Sequence, residues 1–261
     1  MSGELEGQVA VITGAGHGIG LAITTAMAEA GARVALGGRD EDALRSAWRE
    51  LSDAGHEAMW GRCDVCDPRS LSEFATRVLA RFERINAVVA NAGIAGPTGM
   101  IHEIEPAQWQ ACIDTDLTGV FLTFRQFLPA LLDQRSGSLI AVASVTGKRP
   151  LPGRGPYAAA KMGVIGLVRT LALDLGPHGI RANCVCPGSV DGERMTAVIE
   201  ADARARGLSA QAVRHQHGAA AALGRLVRAE EVARACVFLA SDASSAITGE
   251  DLNVSAGSVM Y

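Results

Sequence analysis

Residues 13–20 read Thr-Gly-Ala-Gly-His-Gly-Ile-Gly, with glycine at every second position between two differently patterned runs. The run before it, Gln8 to Thr13, is apolar and β-rich, and the run after it, Ile19 to Ala30, repeats with helical period. A glycine-rich turn between a strand and a helix lets the backbone bend tightly, and it leaves the first N–H groups of the helix facing outward, where an anionic pyrophosphate binds. The spacing is G-x-x-x-G-x-G, through Gly14, Gly18 and Gly20. The G-x-G-x-x-G form does not fit, because Ile19 or Leu21 falls where its third glycine belongs.

Outward from this turn the chain keeps one rhythm. A strand is expected at Arg33 to Gly37, and a charged helix from Asp40 to Ala54 with Asp40 as its cap. Next come a strand from Glu57 to Arg62, a helix from Pro68 to Arg84, a strand from Ile85 to Ala90 and a helical stretch between Pro106 and Leu132. Strands at Ser138 to Ser144, Ile180 to Cys186 and Leu252 to Val254 follow, with a helix containing Tyr157 and Lys161 between the first two. Strictly alternating strands and helices predict an α/β fold: one Rossmann-like, doubly wound parallel sheet with helices on both faces. With no repeat or long linker, residues 1–261 read as a single domain, and ligands are sought at the carboxyl ends of the strands.

Composition narrows the partners. A net charge of −4 and a pI near 5.9, with scattered Lys and Arg, give no footprint for nucleic acid and favour a small molecule. Residues 1–6 carry acids where a secretory signal needs positive charge, and the most apolar helical run, Gly163 to Leu175, is broken by Arg169 and Asp174. A soluble cytoplasmic protein with no membrane partner is expected. Cys63-Asp-Val-Cys66 and Cys184-Val-Cys186 lack a second pair at finger spacing, and His215-Gln-His217 stands alone, so the cysteines read as small buried hydrophobes and no metal is expected.

Residues 156–162, Pro-Tyr-Ala-Ala-Ala-Lys-Met, set an ammonium one helical turn after one of only two tyrosines in the chain. Residues four apart share a helix face, so Tyr157 and Lys161 can address one spot. A free phenol titrates near pH 10, too high for a base at neutral pH, and a neighbouring cation favours the phenolate. Lys161 supplies that cation.

Six stretches in order, TGAGHGIG at 13–20, CDV at 63–65, NAG at 91–93, SVTG at 144–147, YAAAK at 157–161 and PG at 187–188, resemble the short-chain dehydrogenases/reductases over nearly the whole chain. The resemblance, to members of the 3-oxoacyl-carrier-protein reductase type, implies hydride transfer between NADP(H) or NAD(H) and a carbonyl or secondary alcohol. It assigns Tyr157 as proton donor and acceptor, Ser144 as the hydrogen-bonding partner of the substrate oxygen, and Lys161 as a ribose ligand as well as a cation. It places the cofactor against Gly14, Gly16, His17, Gly18, Ile19 and Gly20, with Asp64 and Val65 at the adenine. Asn91, Ala92 and Gly93 support the cleft, and Pro187, Gly188 and Val190 lie against the nicotinamide. A cofactor-binding redox sensor or structural subunit without turnover is the alternative.

Three finer expectations complete the reading. NADP(H) is preferred, because the second strand ends at Gly38 rather than at a carboxylate and Arg39 can pair with a 2′-phosphate, with His17 adding a weaker contact. A homotetramer is expected from the resemblance and from apolar excess on helices near Thr115 to Leu132 and Tyr157 to Gly176. Asp116 occupies a position where the family usually has a catalytic asparagine. It acts either electrostatically beside Lys161, offsetting part of the field at Tyr157, or structurally by accepting a backbone N–H and capping or kinking its helix. Residues 189–226 read as a lid of one or two mobile helices over the substrate.

Overall fold

β1 (Val9–Thr13) is an unbroken apolar run with every residue buried, the pattern of a strand covered on both faces. Its side chains alternate between two cores. Val9 and Val11 enter one, and Ala10 and Ile12 enter the other. The computed structural model describes residues 3–261.

After β1 the chain forms α1 (Gly18–Glu29), β2 (Arg33–Gly38), α2 (Glu41–Asp53), β3 (Ala58–Arg62), α3 (Pro68–Phe82) and β4 (Ala87–Ala90). α2 begins as expected, with the Asp40 side chain accepting the Ala43 N–H. α3 starts at Pro68 behind an Asp67 cap. β4 starts two residues later than Ile85, because the Ile85 N–H donates to Gln134 Oε1 instead of to a neighbouring strand.

The single helical stretch expected over 106–132 is instead three pieces: α4 (Pro106–Ile113), a π-helical turn at Asp114–Thr118, and α5 (Gly119–Gln134). β5 (Gly137–Val142), the short α6 (Val145–Lys148), α7 (Gly155–Leu175) and β6 (Ile180–Pro187) follow. α8 (Glu193–Arg206) and α9 (Ala210–Ala219) form the excursion read as a lid, which therefore holds two helices and ends in turns before Leu226. α10 (Ala229–Ala240) and β7 (Asp251–Val254) close the chain. α10 and α6 are absent from the sequence-based expectation.

The seven strands are parallel in the order β3-β2-β1-β4-β5-β6-β7. The order reverses between β1 and β4, so a crevice opens at the carboxyl ends of those two strands. Phe74 of α3, Phe124 and Phe127 of α5 and Val164 of α7 pack on one face, while Ile23 and Met27 of α1, Leu44 of α2 and Val232 of α10 pack on the other.

One cysteine departs from the expected burial. Cys63, Cys112, Cys184, Cys186 and Cys236 are buried, but Cys66 is exposed on the turn before α3. It follows Asp64, whose Oδ1 accepts the Cys66 N–H at 3.0 Å, and this tight turn points the thiol outward.

Candidate active site

The glycine turn lies at the carboxyl end of β1. Its glycines answer to different demands. A Cβ on Gly20 would sit 2.0 Å from the Gly14 carbonyl oxygen, and one on Gly14 would sit 2.8 Å from Ala92 Cα, so both are required by the protein's own packing. Gly18 has open space around it and a φ of +51°, a backbone state that favours glycine. α1 then begins at His17 with no side-chain cap and no acid in its first turn. Its leading N–H groups are left for an external anion, which fits a dinucleotide pyrophosphate. Gly16 and Ile19 lie within this turn, and Gly16 packs beside Ala43 of α2.

Asn91 holds the turn from β4. Its Nδ2 donates to the Thr13 and Gly14 carbonyls at 3.0 and 3.2 Å, and the Asn91 and Ala92 N–H groups donate to Thr13 Oγ1. The side chain of Asn91 is thus spent on protein, shaping the cleft wall from behind. Val65 is buried against the start of α5, where a Cβ on Gly119 would meet its Cγ2 at 2.7 Å.

At the end of β2, Gly38 is the last strand residue and Arg39 is exposed. Asp40 Oδ1 accepts from Ala43 N at 3.0 Å and Oδ2 lies 2.9 Å from His17 Nε2. The Ala43 N–H and the His17 contact hold the Asp40 carboxyl below its ordinary range.

Ser144 follows β5 and caps α6, with its Oγ accepting the Thr146 N–H at 3.1 Å. α6 is pressed onto α7, since a Cβ on Gly147 would meet the Lys161 carbonyl carbon at 2.8 Å. Tyr157 stands in the first turn of α7, and Lys161 is buried one turn on, its Nζ 5.6 Å from the Tyr157 ring centroid. The ammonium donates to the Val142 carbonyl at 3.0 Å. An ammonium has three N–H groups, so this bond fixes its place without exhausting it.

Asp116, in the π turn, is fully buried. Its Oδ1 accepts the Ile94 N–H at 2.7 Å and its Oδ2 has no partner. It takes a backbone N–H, as the structural reading expects, but that N–H belongs to the loop after β4 and not to its own helix. Gly93 lies between the two charges, and a Cβ there would meet Asp116 Oδ1 at 3.0 Å and Lys161 Nζ at 3.6 Å. Burial pushes the Asp116 carboxyl above its ordinary range, with Lys161 and the Ile94 N–H opposing.

Pro187 ends β6, Gly188 donates to the Val254 carbonyl, and Val190 bridges to Val227 at the base of the excursion. Two arginines that the sequence reading passed over also reach this site. Arg154 stacks on Tyr157, with its guanidinium carbon 4.9 Å from the ring centroid. Arg194 of α8 donates to the Gly93 carbonyl at 2.8 Å. Position next to the YAAAK stretch was the available signal for Arg154; Arg194 had none.

Comparison with known proteins fits this geometry. Residues 14–258 match a family model described as enoyl-(acyl carrier protein) reductase. The chain is 41% identical over 250 residues to cis-4-hydroxycyclohexanecarboxylate dehydrogenase of Sinomonas cyclohexanicum, covering 96% of each chain. It is 36% identical to 3-oxoacyl-[acyl-carrier-protein] reductase of Thermotoga maritima, covering 98% of this chain and 100% of that one. Among solved structures, a variant actinorhodin polyketide ketoreductase with NADPH superposes with a TM-score of 0.94 at 33% identity, each chain being fully covered at 100%. With the seven-stranded fold, the glycine turn and the Ser144, Tyr157 and Lys161 cluster, these similarities place the chain in the short-chain dehydrogenase/reductase family, as an NAD(P)-dependent oxidoreductase of carbonyl and alcohol groups.

Proposed function

We propose that the protein interconverts a ketone and a secondary alcohol of a small substrate with NADP(H) in preference to NAD(H), using Ser144, Tyr157 and Lys161 as its catalytic residues. The observation that carries this reading is the buried Lys161 ammonium, anchored on Val142 and 5.6 Å from the Tyr157 ring. The cofactor, when bound, supplies or accepts the hydride. Tyr157 gives a proton to the carbonyl oxygen during reduction and takes one from the alcohol during oxidation. Ser144 Oγ already accepts from Thr146, which leaves its own hydrogen to donate to the substrate oxygen. Lys161 holds positive charge beside the phenol and offers its remaining N–H groups to ribose hydroxyls.

Gly14 to Gly20 would hold the pyrophosphate, Asp64 and Val65 the adenine, and Pro187, Gly188 and Val190 the nicotinamide, with Asn91, Ala92 and Gly93 supporting the cleft. NADP(H) preference is supported by Asp40: both of its oxygens are engaged, so it is poorly placed to bind a ribose 2′-OH, while Arg39 is free to meet a 2′-phosphate. A homotetramer is supported by apolar exposure on α5 and α7, at Phe121, Met162 and Leu173. Residence in the cytoplasm is supported by six unpaired thiols, the state a reducing compartment maintains.

The test is NADPH oxidation with a ketone panel by wild type and Tyr157→Phe. Turnover lost in the variant with cofactor binding retained is expected; cofactor binding without turnover of any ketone by wild type would favour the sensor reading. Arg39→Asp is expected to reverse the cofactor preference in kcat/KM, and a wild-type preference for NAD(H) would refute that part. Light scattering that shows a monomer at micromolar concentration would remove the tetramer.

A further inference from the structure

Arg154 and Arg194 converge on one short segment, the loop that follows β4. Arg154 donates to the Ala95 carbonyl and, at 3.1 Å, to Thr98 Oγ1; Arg194 donates to the Gly93 carbonyl. Every one of these acceptors is neutral. Arg169, Arg206, Arg214 and Arg225 each meet a carboxylate at 2.7 or 2.8 Å, whereas Arg77, Arg135, Arg149 and Arg181 also donate to backbone carbonyls, so what sets Arg154 apart is its place on the Tyr157 ring. Among the described residues, neither Arg154 nor Arg194 has an acid within salt-bridge distance. Asp116 is the acid whose charge acts with both, but it is turned away onto the Ile94 N–H.

A clamp on backbone carbonyls needs donors, not charge. Guanidinium carries five N–H donors in a planar fork, and Arg154 uses two of its three nitrogens' worth of reach on the loop, so donors are left over. Holding a partly buried cation without a counter-ion is unfavourable, and the fork matches a carboxylate in two-point fashion. The position is specific as well, because Arg154 lies on the face of the very ring whose hydroxyl is assigned to proton transfer. An anion held there belongs to the molecule whose carbonyl reaches Tyr157.

We infer that Arg154, backed by Arg194, is a specificity-determining residue that binds a carboxylate borne by the substrate, which makes the substrate an oxo acid or hydroxy acid whose acid group is separate from the reacting carbon. The inference rests on the oxidoreductase reading above and names its substrate class. Arg194 arrives from α8, so an acidic substrate also ties the lid excursion to the loop after β4.

The test compares 4-oxocyclohexanecarboxylate with 4-oxocyclohexanecarboxamide as ketones in NADPH-dependent reduction by the full chain. In parallel, calorimetry measures binding of cyclohexanecarboxylate and cyclohexanecarboxamide to the NADPH-loaded protein. A preference for the acid of about tenfold or more is expected in both kcat/KM and Kd, shrinking at high salt. Arg154→Gln is expected to bring the acid-to-amide ratio close to one, and Arg154→Lys to leave it intermediate, because the charge remains and the fork is lost. Arg194→Gln, which leaves the anchors of Arg154 untouched, should lower the ratio by a smaller factor and serves if Arg154→Gln fails to fold. Equal handling of acid and amide by wild type, or an undiminished ratio in Arg154→Gln, overturns the inference and leaves the oxidoreductase reading standing. Selective binding of the acid with no turnover of either ketone supports the carboxylate site, and together with no turnover across the ketone panel it overturns that reading instead.

Discussion

The Asp116 carboxylate accepts the Ile94 N–H at 2.7 Å through one oxygen, while its other oxygen is buried without a partner. The bond ties the π turn to the loop after β4, across the floor of the site and next to Lys161. It does so with a group whose charge burial disfavours.

Burial raises the Asp116 carboxyl, and Lys161 and the Ile94 N–H only partly offset this. An acid whose folded value lies above its unfolded value is best tolerated protonated. Its stability contribution is therefore fullest below the ordinary carboxylate range and declines as pH rises through the folded value. Asp116→Asn keeps an acceptor for Ile94 and removes the charge. Its Tm is expected to gain on wild type between about pH 5 and about pH 8, by the equivalent of ~1 kcal/mol. Removing a negative charge beside Lys161 also leaves more positive field at the phenol, so the acid limb of alcohol oxidation should move to lower pH. Superimposable profiles in both measurements would confine Asp116 to holding the loop.

Asp251 of β7 meets Lys148 at 2.8 Å and Arg169 at 2.7 Å, with little of its side chain exposed. Burial alone would raise its carboxyl, but bonds to Lys148 and Arg169 prevail and hold it below the ordinary range. The sign is opposite to that of Asp116: this stability is present above the ordinary carboxylate range and is lost as pH falls through the folded value. Asp251→Asn should cost about 3 kcal/mol near neutral pH, by leaving Lys148 largely buried without its counter-charge. Denaturant unfolding at about pH 7 and about pH 3 reads both parts, and a cost that persists unchanged at the lower pH contradicts the assignment.

Two glycines of one turn should fail differently. Gly20→Ala drives a methyl into the Gly14 carbonyl, where the Cβ would lie 2.0 Å from the oxygen, so loss of folded protein or a penalty of several kcal/mol is expected. Gly18→Ala meets no atom but must keep a φ of +51°, a strain of about 1 kcal/mol. Its main effect should be weaker cofactor binding, read by titration of NADPH fluorescence. Equal stability losses in the two variants would show that the turn adjusts its backbone freely.

Thiol chemistry should distinguish one cysteine. Burial pushes Cys63, Cys186 and Cys236 up to about 12 and Cys112 up to about 11, and Cys184 lies well above its ordinary value. Cys66 alone is exposed. A disulfide reagent at about pH 8 should therefore label a single thiol rapidly in the native protein, with the other five reacting only on unfolding, and Cys66→Ser should abolish the fast phase. Rapid labelling of a second thiol would reveal local opening of the core.

The strands and the first turns were legible because their signals are local: apolar runs for buried strands, Asp40 and Pro68 for helix starts, Gly14 to Gly20 for the turn. Tyr157 and Lys161 were legible for the same reason, being one helical turn apart. α10 carries its own local signal, since Val232, Ala233, Cys236 and Val237 recur with helical period on its buried side, and it is absent from the expectation all the same. The break at Asp114–Thr118 has no comparable sequence mark. It coincides with a contact across the fold, from Asp116 to Ile94. Arg154 and Arg194 gain their meaning only when the loop after β4, the start of α7 and α8 are brought together, and no pattern along the chain encodes that meeting. The exposed Cys66 was hidden by a correct rule, that cysteines are mostly buried, applied at a turn that Asp64 tightens.

The excursion that carries α8 and α9 leaves and rejoins the sheet at nearly one point. Asp191 donates to the Val227 carbonyl, and Val227 donates to the Ser189 carbonyl. Its ends are therefore stapled together by main chain, while its interior has a small core of its own, built on Ile199, Ala203 and Val213. A module joined in this way can lengthen, shorten or be exchanged for another without changing the register of β6 or the position of Tyr157. Natural variation, or an engineer grafting a new segment between Ser189 and Val227, could thus alter substrate choice while inheriting the hydride-transfer machinery intact.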